Sequence, residues 1–214
     1  MILDFSKENA ATQYSLKCIN NSDSNWYFYI YQRMLNQEDN DVYSLVWMAS
    51  PYKIGKNSFI IFTWSLEDSF WWFNTGDLQI DVVPASGGDI SASLPSNNST
   101  TFSIVDNTPK LSSAVSGTPS DKFLIKGEDN IPNYTFSTGI GMSDFATYLK
   151  QSYTNTSQEF DSNTTFWIAA TTSQKQVTGV LSQTNISNAA IFSFPVNVYN
   201  LTASLGEDNL WTIS

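Results

Sequence analysis

Residues 26–31, Trp-Tyr-Phe-Tyr-Ile-Tyr, point most directly to the fold class of this chain. Every one of them is aromatic or β-branched, and these are the residue types that pleated strands favour. Because side chains alternate across a strand, Trp26, Phe28 and Ile30 lie on one face and the three tyrosines lie on the other. Both sets are large and mainly apolar, so we expect a strand that is covered on both faces.

A second aromatic block, at residues 59–73, is expected to form the densest part of the core. Further runs rich in β-branched and aromatic residues are separated by Asn, Asp, Gly and Ser turns, and they predict additional strands. The predicted strands are residues 14–19, 26–34, 42–48, 58–65, 78–83, 101–105, 123–126, 134–139, 165–170, 176–181, 189–194, 198–205 and 209–213. Short strands at regular turn spacing are typical of a β-sandwich.

The predicted fold is therefore all-β: a single-domain antiparallel β-sandwich over residues 1–214, with long loops and at most one short helix. The helix candidate is residues 143–151, where Ser143 is the N-cap and Phe145, Tyr148 and Leu149 have helical spacing. Residues 84–120 are rich in Pro, Gly and Ser, so we expect a loop-rich insertion that the strand at 101–105 interrupts.

Charge and residue usage exclude several classes of function. The 214 residues include 20 acidic and 10 basic side chains, giving a net charge of −10, and no histidine. Histidine-based acid–base catalysis, Ser-His-Asp and Cys-His pairs and His-ligated metal sites are therefore excluded. Nucleic acid is not an expected partner, because phosphate neutralisation needs clustered Lys and Arg. No membrane partner is expected either, because no run approaches about 18 apolar residues.

The first residues and the single cysteine bear on the compartment. The chain opens Met-Ile-Leu-Asp-Phe-Ser-Lys-Glu, without an apolar stretch of signal-peptide length, so we expect a cytoplasmic protein. Cys18 has no partner for an intrachain disulfide, and its strand-like context predicts a buried, inert side chain. Eight Asn-x-Ser/Thr matches follow from a chain in which about a third of the residues are Asn, Ser or Thr.

A series of short blocks keeps its order over residues 14–214. The blocks are Ser44-Leu-Val-Trp47 with Pro51, Phe62-Thr-Trp64, Phe70-Trp-Trp-Phe-Asn-Thr-Gly76, Gly139-Ile-Gly-Met-Ser143, Phe166-Trp-Ile-Ala-Ala170, Asn188-Ala, Phe194-Pro195, Thr202-Ala-Ser-Leu205 and Asp208-Asn-Leu-Trp211. Together they resemble the RhiA family of bacterial proteins, with departures at residues 84–120 and 70–73. The resemblance implies one all-β microbial domain, often in density-regulated or host-associated settings. It implies no established catalytic activity, so no functional residue is carried over.

Three acidic turns, at residues 36–41, 128–130 and 207–209, are candidate calcium sites. Calcium favours carboxylate and amide oxygens clustered on loops, although none of the turns has the EF-hand pattern. Asp and Asn also favour turns through local backbone hydrogen bonds without any metal, and that alternative stays open. The best metal-ligating set is Glu38, Asp39 and Asp41, and calcium is the one cofactor that the sequence suggests.

Trp71 and Trp72 are the candidate ligand-binding residues, because tryptophan faces stack well on sugar rings. Consecutive strand residues face opposite ways, so one of the two should point outward. We expect Trp47, Trp64 and Trp211 to be buried in the core instead.

Two further patterns carry no expected chemistry. Glu67 and Asp68 are adjacent, whereas glycoside hydrolysis needs two carboxyl groups that face each other, so we interpret them as a turn and predict no catalytic residue. Gly139-Ile-Gly-Met lacks the third glycine of a dinucleotide motif, and a tight turn or β-bulge explains its glycines better.

The expected function is that of a non-catalytic structural or binding protein which self-assembles into an ordered intracellular homo-oligomer or inclusion. Weak charge and many tyrosine and amide side chains favour packing against like molecules. The alternative is a lectin-like domain that binds carbohydrate with the help of calcium. A hydrolase that uses carboxylates alone is least favoured, because no pair with suitable geometry is visible.

Overall fold

A computed structural model describes residues 12–34, 41–181, 186 and 188–214 of the chain. In these residues the chain forms seventeen β-strands and no helix, so no described helix is able to cross a membrane. The strands are β1 Gln13–Asn20, β2 Tyr27–Tyr31, β3 Val42–Ser44, β4 Met48–Ala49, β5 Ser58–Ser65, β6 Asp68–Asn74, β7 Ser86–Ser91, β8 Ser99–Val105, β9 Thr108–Leu111, β10 Lys122–Gly127, β11 Phe136–Met142, β12 Phe145–Gln151, β13 Ser157–Asp161, β14 Phe166–Thr171, β15 Ala189–Phe192, β16 Asn200–Leu205 and β17 Trp211–Ile213. The predicted all-β class is confirmed.

The described strands form four sheets. Their strand orders are β17-β16-β1-β5, β15-β14-β2-β4, β13-β10-β8-β9 and β3-β12-β11-β6-β7. Neighbouring strands are antiparallel, apart from the parallel pairs β1 with β16 and β8 with β10. The pair β1 and β16 joins remote parts of the chain, whereas β8 and β10 are connected through β9.

Pairs of sheets enclose two hydrophobic cores. The first core lies between the first two sheets and includes Leu16 of β1, Phe28 of β2 and Trp64 of β5. The second lies between the other two sheets and includes Phe70 of β6 and Phe102 of β8. The chain therefore builds two sandwich-like pairs of sheets where the sequence suggested one. That residues 1–214 form a single domain stays a prediction.

Strand β2 is covered on both faces, as its alternating pattern predicted. Phe28 and Ile30 belong to the first core. On the opposite face Tyr29 and Tyr31 pack with Trp167 in a separate apolar cluster. Because both alternating sets are large, each face of the strand buries apolar surface.

The helix predicted for residues 143–151 is wrong, because this segment is strand β12 between β11 and β3. A β-bulge shifts the register, so that Ile140 lies opposite Tyr148 and Gly141 lies opposite Ala146. The extra residue, Thr147, places Ala146 and Leu149 in one apolar cluster. The helical spacing of Phe145, Tyr148 and Leu149 does not correspond to one buried face, because Tyr148 lies in the second core, Leu149 lies in this other cluster and Phe145 is exposed.

Glycines in β11 make this bulge sterically feasible. A Cβ atom on Gly139 would lie 1.8 Å from the backbone oxygen of Tyr148, and one on Gly141 would lie 2.3 Å from that of Phe145. Any side chain there would displace the paired strand. Of the tight turn and the β-bulge proposed for Gly139-Ile-Gly-Met, the structure has a bulge, and its extra residue is Thr147 of the partner strand β12.

Two predicted strands, residues 78–83 and 176–181, are irregular segments instead. They pair locally, with the N–H of Val180 donating to the oxygen of Val82, and Leu78 and Val180 cover the outer face of the five-stranded sheet. Their apolar residues cover one face of the five-stranded sheet. The local sequence pattern does not distinguish such a covering segment from a strand. In residues 84–120 the predicted strand is confirmed as β8, and β7 and β9 add two more.

Buried polar and sulfur groups are structural. Cys18 is unpaired and fully buried, and burial raises the pKa of its thiol, as expected for an inert cysteine. Asn20 and Asn98 belong to two of the Asn-x-Ser/Thr matches and are fully buried. The amide of Asn20 donates to the oxygens of Ser24 and Ile54. These two matches therefore serve the fold.

Candidate functional site

Strand β5 is an exposed edge of the first sandwich. In the part of the chain that the structure describes, β5 ends its sheet and pairs with β1 alone. Phe59 and Ile61 are each 52% exposed on its outer face, whereas Phe62 and Trp64 point into the core. The expectation that residues 59–73 form the densest part of the core is therefore wrong for one face of β5.

The backbone of β5 also has hydrogen-bonding groups that point away from its sheet. Ser15 of β1 donates its N–H to Tyr199 on the β16 side, so the even-numbered residues of β1 face β5. In an antiparallel pair, bonding alternates from residue to residue, so the N–H and C=O groups of Phe59, Ile61 and Thr63 point outward. The next residue of this series, Ser65, donates its outward N–H to Ser143 Oγ at 3.2 Å.

Few features protect this edge against pairing with another strand. The sequence of β5, Ser-Phe-Ile-Ile-Phe-Thr-Trp-Ser, contains no charge, no proline and no glycine. Natural edge strands usually carry lysine, proline or a bulge that prevents further pairing. Two charges lie close to the strand: the ammonium of Lys17 on β1 is 4.4 Å from the centre of the Phe59 ring, and the carboxylate of Glu67 accepts a hydrogen bond from Ser65 Oγ at 2.9 Å. An uncharged, eight-residue edge with large side chains is a template for a further strand.

Sequence reasoning missed this edge because both alternating residue sets of β5 are apolar. Such a pattern predicts burial on both faces, and in β2 that prediction is correct. The signal that distinguishes β5 is the lack of a covering element, which depends on how distant strands pack.

Trp71 and Trp72 lie on opposite faces of β6 and are both half-buried. Trp71 stacks on Phe73 with the ring centres 5.3 Å apart, and Trp72 stacks on Phe102 at 6.2 Å. One face of each indole is therefore covered by another ring. Trp47 and Trp64 are buried as predicted, and Trp211 is half-buried.

Glycines of β7 accommodate the rings of β6. A Cβ atom on Gly87 would lie 2.3 Å from the Phe73 ring, and one on Gly88 would lie 2.7 Å from Trp72 Nε1. The two aromatic rings therefore extend over the bare backbone of this edge strand, which compensates for the missing side chains.

Glu67 and Asp68 line an acidic cleft of about 700 Å³. Glu67 lies in the connection between β5 and β6, whereas Asp68, which was expected in the same turn, is the first residue of β6. Asp89 and Asp144 also line the cleft. The described lining includes no basic side chain, and burial raises the pKa of Asp68 to about 6. Trp71 adjoins the cleft, because its Nε1 donates to Ser69 Oγ, on the cleft wall, at 2.7 Å.

The candidate calcium ligands are described only in part. Glu38 and Asp39 lie outside the described residues. Asp41 is exposed, and its Oδ1 lies 3.5 Å from the ammonium of Lys150 in an ion pair. Elsewhere in the described residues, no three acidic or cysteine side chains are placed to hold a metal ion. Calcium binding by this loop stays a prediction.

This all-β chain matches the model of a known protein family. The model of the RhiA family matches residues 11–214, so the chain belongs to the RhiA family. The resemblance inferred from the short sequence blocks is thereby confirmed, and the match includes residues 84–120.

The chain is similar to Protein RhiA of Rhizobium leguminosarum bv. viciae. The two are 40% identical over 203 residues, which cover 95% of this chain and 87% of that protein. No solved structure matches the chain. Neither name states an activity or a ligand.

Proposed function

We propose that this chain is a non-catalytic structural protein whose copies self-assemble in the cytoplasm through the outward edge of β5. The observation that carries the proposal is the uncharged strand Ser58–Ser65, which exposes Phe59 and Ile61 beside outward backbone groups. A strand from a second copy satisfies those groups and at the same time places its own side chains beside Phe59 and Ile61.

Two-fold symmetry provides the simplest assembly. Antiparallel pairing of β5 with β5 of a second copy is isologous, because each residue contacts the symmetry-related strand in the same way. The four-stranded sheet then continues into that of the partner, and the exposed faces of Phe59 and Ile61 pack in adjoining rows.

A second edge allows growth beyond a dimer. Strand β15 ends the other sheet of the same sandwich within the described residues, is uncharged, and exposes Ile191 at 55%. Pairing at both edges joins dimers into an open, ordered array. The net charge of −10 opposes this association, so screening by salt should promote it.

The substitution Ile61→Glu tests the edge without damaging the fold. Ile61 lies directly opposite Lys17 on β1, so a glutamate there forms a favourable cross-strand pair within the subunit. The same charge at the edge repels a second copy and costs energy to bury between two strands. Val196→Glu adds an equal charge at a loop residue that is 89% exposed, and it serves as the matched control.

Sedimentation velocity and negative-stain microscopy of the three proteins, over a range of concentration and salt, give the measurement. We expect the wild type and Val196→Glu to form extended oligomers, and Ile61→Glu to grow no further than a dimer paired through β15, with an unchanged circular dichroism spectrum. A wild-type chain that stays monomeric under every condition, or an Ile61→Glu variant that assembles normally, contradicts the proposal.

Carbohydrate binding, assisted by calcium, is the alternative proposal. It is supported by the position of Trp71 beside the acidic cleft, because an indole face and carboxylates together suit a sugar ring with its hydroxyls. Titrating a sugar panel with and without calcium, while tryptophan fluorescence is recorded, tests it. A saturable change that Trp71→Phe reduces supports this alternative, and an unchanged spectrum contradicts it.

A further inference from the structure

An exposed pair of tyrosines lies at one end of the five-stranded sheet. Tyr134 precedes β11 and is 59% exposed, and Tyr153 follows β12 and is 36% exposed. Their ring centres are 5.5 Å apart, and their planes meet at 87°. The two rings therefore form an open right-angled corner, which differs from a flat stacking platform.

Tyr134 adopts an unfavourable backbone conformation to occupy this corner. Its φ is +56°, in the left-handed region that bulky side chains rarely adopt. Its ring remains largely in solvent, so burial of the ring in a core does not compensate for the strain. Strained residues of this kind are concentrated at binding sites, where their geometry is part of the function.

The acidic residue Asp77 lies next to this corner, because its neighbour Gly76 donates its N–H at 3.0 Å to the oxygen of Thr135, which follows Tyr134. Burial raises the pKa of Tyr153, and the neighbouring Tyr134, Asp77 and Asp41 raise it further. Asp41 is paired with Lys150 at 3.5 Å. Among the described residues Asp77 has no ion pair, and its Oδ2 accepts a hydrogen bond from Gln79 at 2.7 Å. The carboxylate of Asp77 thus keeps a charge that attracts a cation.

We propose that Tyr134, Tyr153 and Asp77 together bind an alkylammonium group. The face of each ring has a negative quadrupole, so two perpendicular rings and a carboxylate attract a cation from several directions. The alkyl groups of the cation pack against the rings, which a small hydrated metal ion does not. This site is distinct from the β5 edge and does not depend on self-assembly.

A small quaternary amine and a methylated lysine of another polypeptide present the same alkylammonium chemistry. The probes are therefore choline, its uncharged isostere 3,3-dimethylbutan-1-ol, and the N-acetyl amide of trimethyllysine. Proton NMR titration of the protein with each probe is informative, because methyl groups over aromatic faces shift upfield.

The variants separate binding from folding. Tyr134→Asn removes the ring and replaces it with a residue that tolerates the left-handed region, so the fold should not suffer. Asp77→Asn removes the charge, whereas Tyr153→Phe keeps the ring and should keep the binding. Tyr52→Asn is the matched control, because Tyr52 is 61% exposed at a different place.

We expect choline to bind weakly with an upfield shift, and the isostere to bind less well. Loss of one ring, or of the carboxylate, should lower the affinity for choline by about two- to fivefold. This is the range expected for one exposed cation–π contact. Tyr52→Asn should not change the binding. Tighter binding of the trimethyllysine amide than of choline identifies a polypeptide source, and the reverse identifies a small amine. Equal binding of choline and its isostere, no binding of either cation, or normal binding by Tyr134→Asn overturns the proposal.

Discussion

The indole of Trp47 donates a hydrogen bond from Nε1 to the backbone oxygen of Met142 at 2.9 Å. Trp47 is fully buried in the first core, whereas Met142 ends β11 of the five-stranded sheet in the other sandwich. This bond is therefore a direct link between the two pairs of sheets.

Trp47→Phe should destabilise the chain by about 2–3 kcal/mol, because it opens a cavity and leaves the Met142 oxygen without its donor. Trp26→Phe is the matched control, since Trp26 is half-buried and donates to the hydroxyl of Ser22. We expect that variant to lower the free energy of unfolding by about 1 kcal/mol. Urea unfolding followed by circular dichroism measures both, and equal losses would contradict the linking role of Trp47.

Gly139→Ala should destabilise by about 3 kcal/mol or more, since the new Cβ atom collides with the backbone of Tyr148. In contrast, Gly55→Ala places its Cβ atom 3.4 Å from the flexible side chain of Asn25, so a change within about 0.5 kcal/mol is expected. Thermal melts of the two variants compare these costs. An unaffected Gly139→Ala variant is incompatible with the close approach of β11 and β12.

Asp68 makes stability depend on pH. Burial raises the pKa of its carboxyl from the ordinary 3.8 to about 6, so the folded state holds the proton more tightly than the unfolded state. The resulting stabilisation is fully present below the unfolded pKa of 3.8 and is lost as the pH rises through about 6.

Asp68→Asn should therefore remove this pH dependence. Between pH 4 and pH 7, its stability relative to wild type should rise by about 2–3 kcal/mol, the value of a shift of about two pKa units. Asp121→Asn, at an exposed position, is the control and should parallel the wild type. The free energy of unfolding in urea at several pH values decides the matter, and parallel curves for Asp68→Asn would contradict the prediction.

Adjacent proline substitutions separate the two sides of β5. The N–H of Ile61 points outward, so Ile61→Pro removes no bond to β1, and edge strands tolerate proline at such positions. The N–H of Ile60 faces Cys18 on β1, so Ile60→Pro should cost about 3 kcal/mol. Sedimentation and urea unfolding together should show that Ile61→Pro folds but does not grow beyond a dimer paired through β15. Extended assembly by a folded Ile61→Pro variant argues against pairing through the β5 edge.

The alternation of residue types predicted the structure correctly where that structure depends on the residues of a single strand. The two-sided burial of β2 and the glycines of β11 that face the bulge of β12 both follow from local residue types. In β12 the same kind of reasoning failed, because Phe145, Tyr148 and Leu149 match helical spacing although the strand places Tyr148 and Leu149 in different apolar clusters. Propensity describes a residue and its neighbours, and pairing with β3 and β11 overrides it.

The candidate sites depended on contacts that the sequence does not display. Phe59 and Ile61 were expected in the core, and their exposure results from the terminal position of β5 in its sheet. Tyr134 and Tyr153 meet because the β11 and β12 strands between them pair antiparallel. Trp71 was a candidate from the outset, but its place beside the acidic cleft follows from the pairing of β6 with β7.

The sequence by itself determined the all-β class, the family and the absence of histidine chemistry, because composition and alternation are properties of the chain alone. Tertiary structure alone decided which apolar strand faces became core, which edge stayed open and which tyrosines meet. The physical reason is that the exposure of a strand face and the proximity of two side chains depend on how distant strands and sheets pack. The residue pattern shows only which faces of a strand are suited to burial.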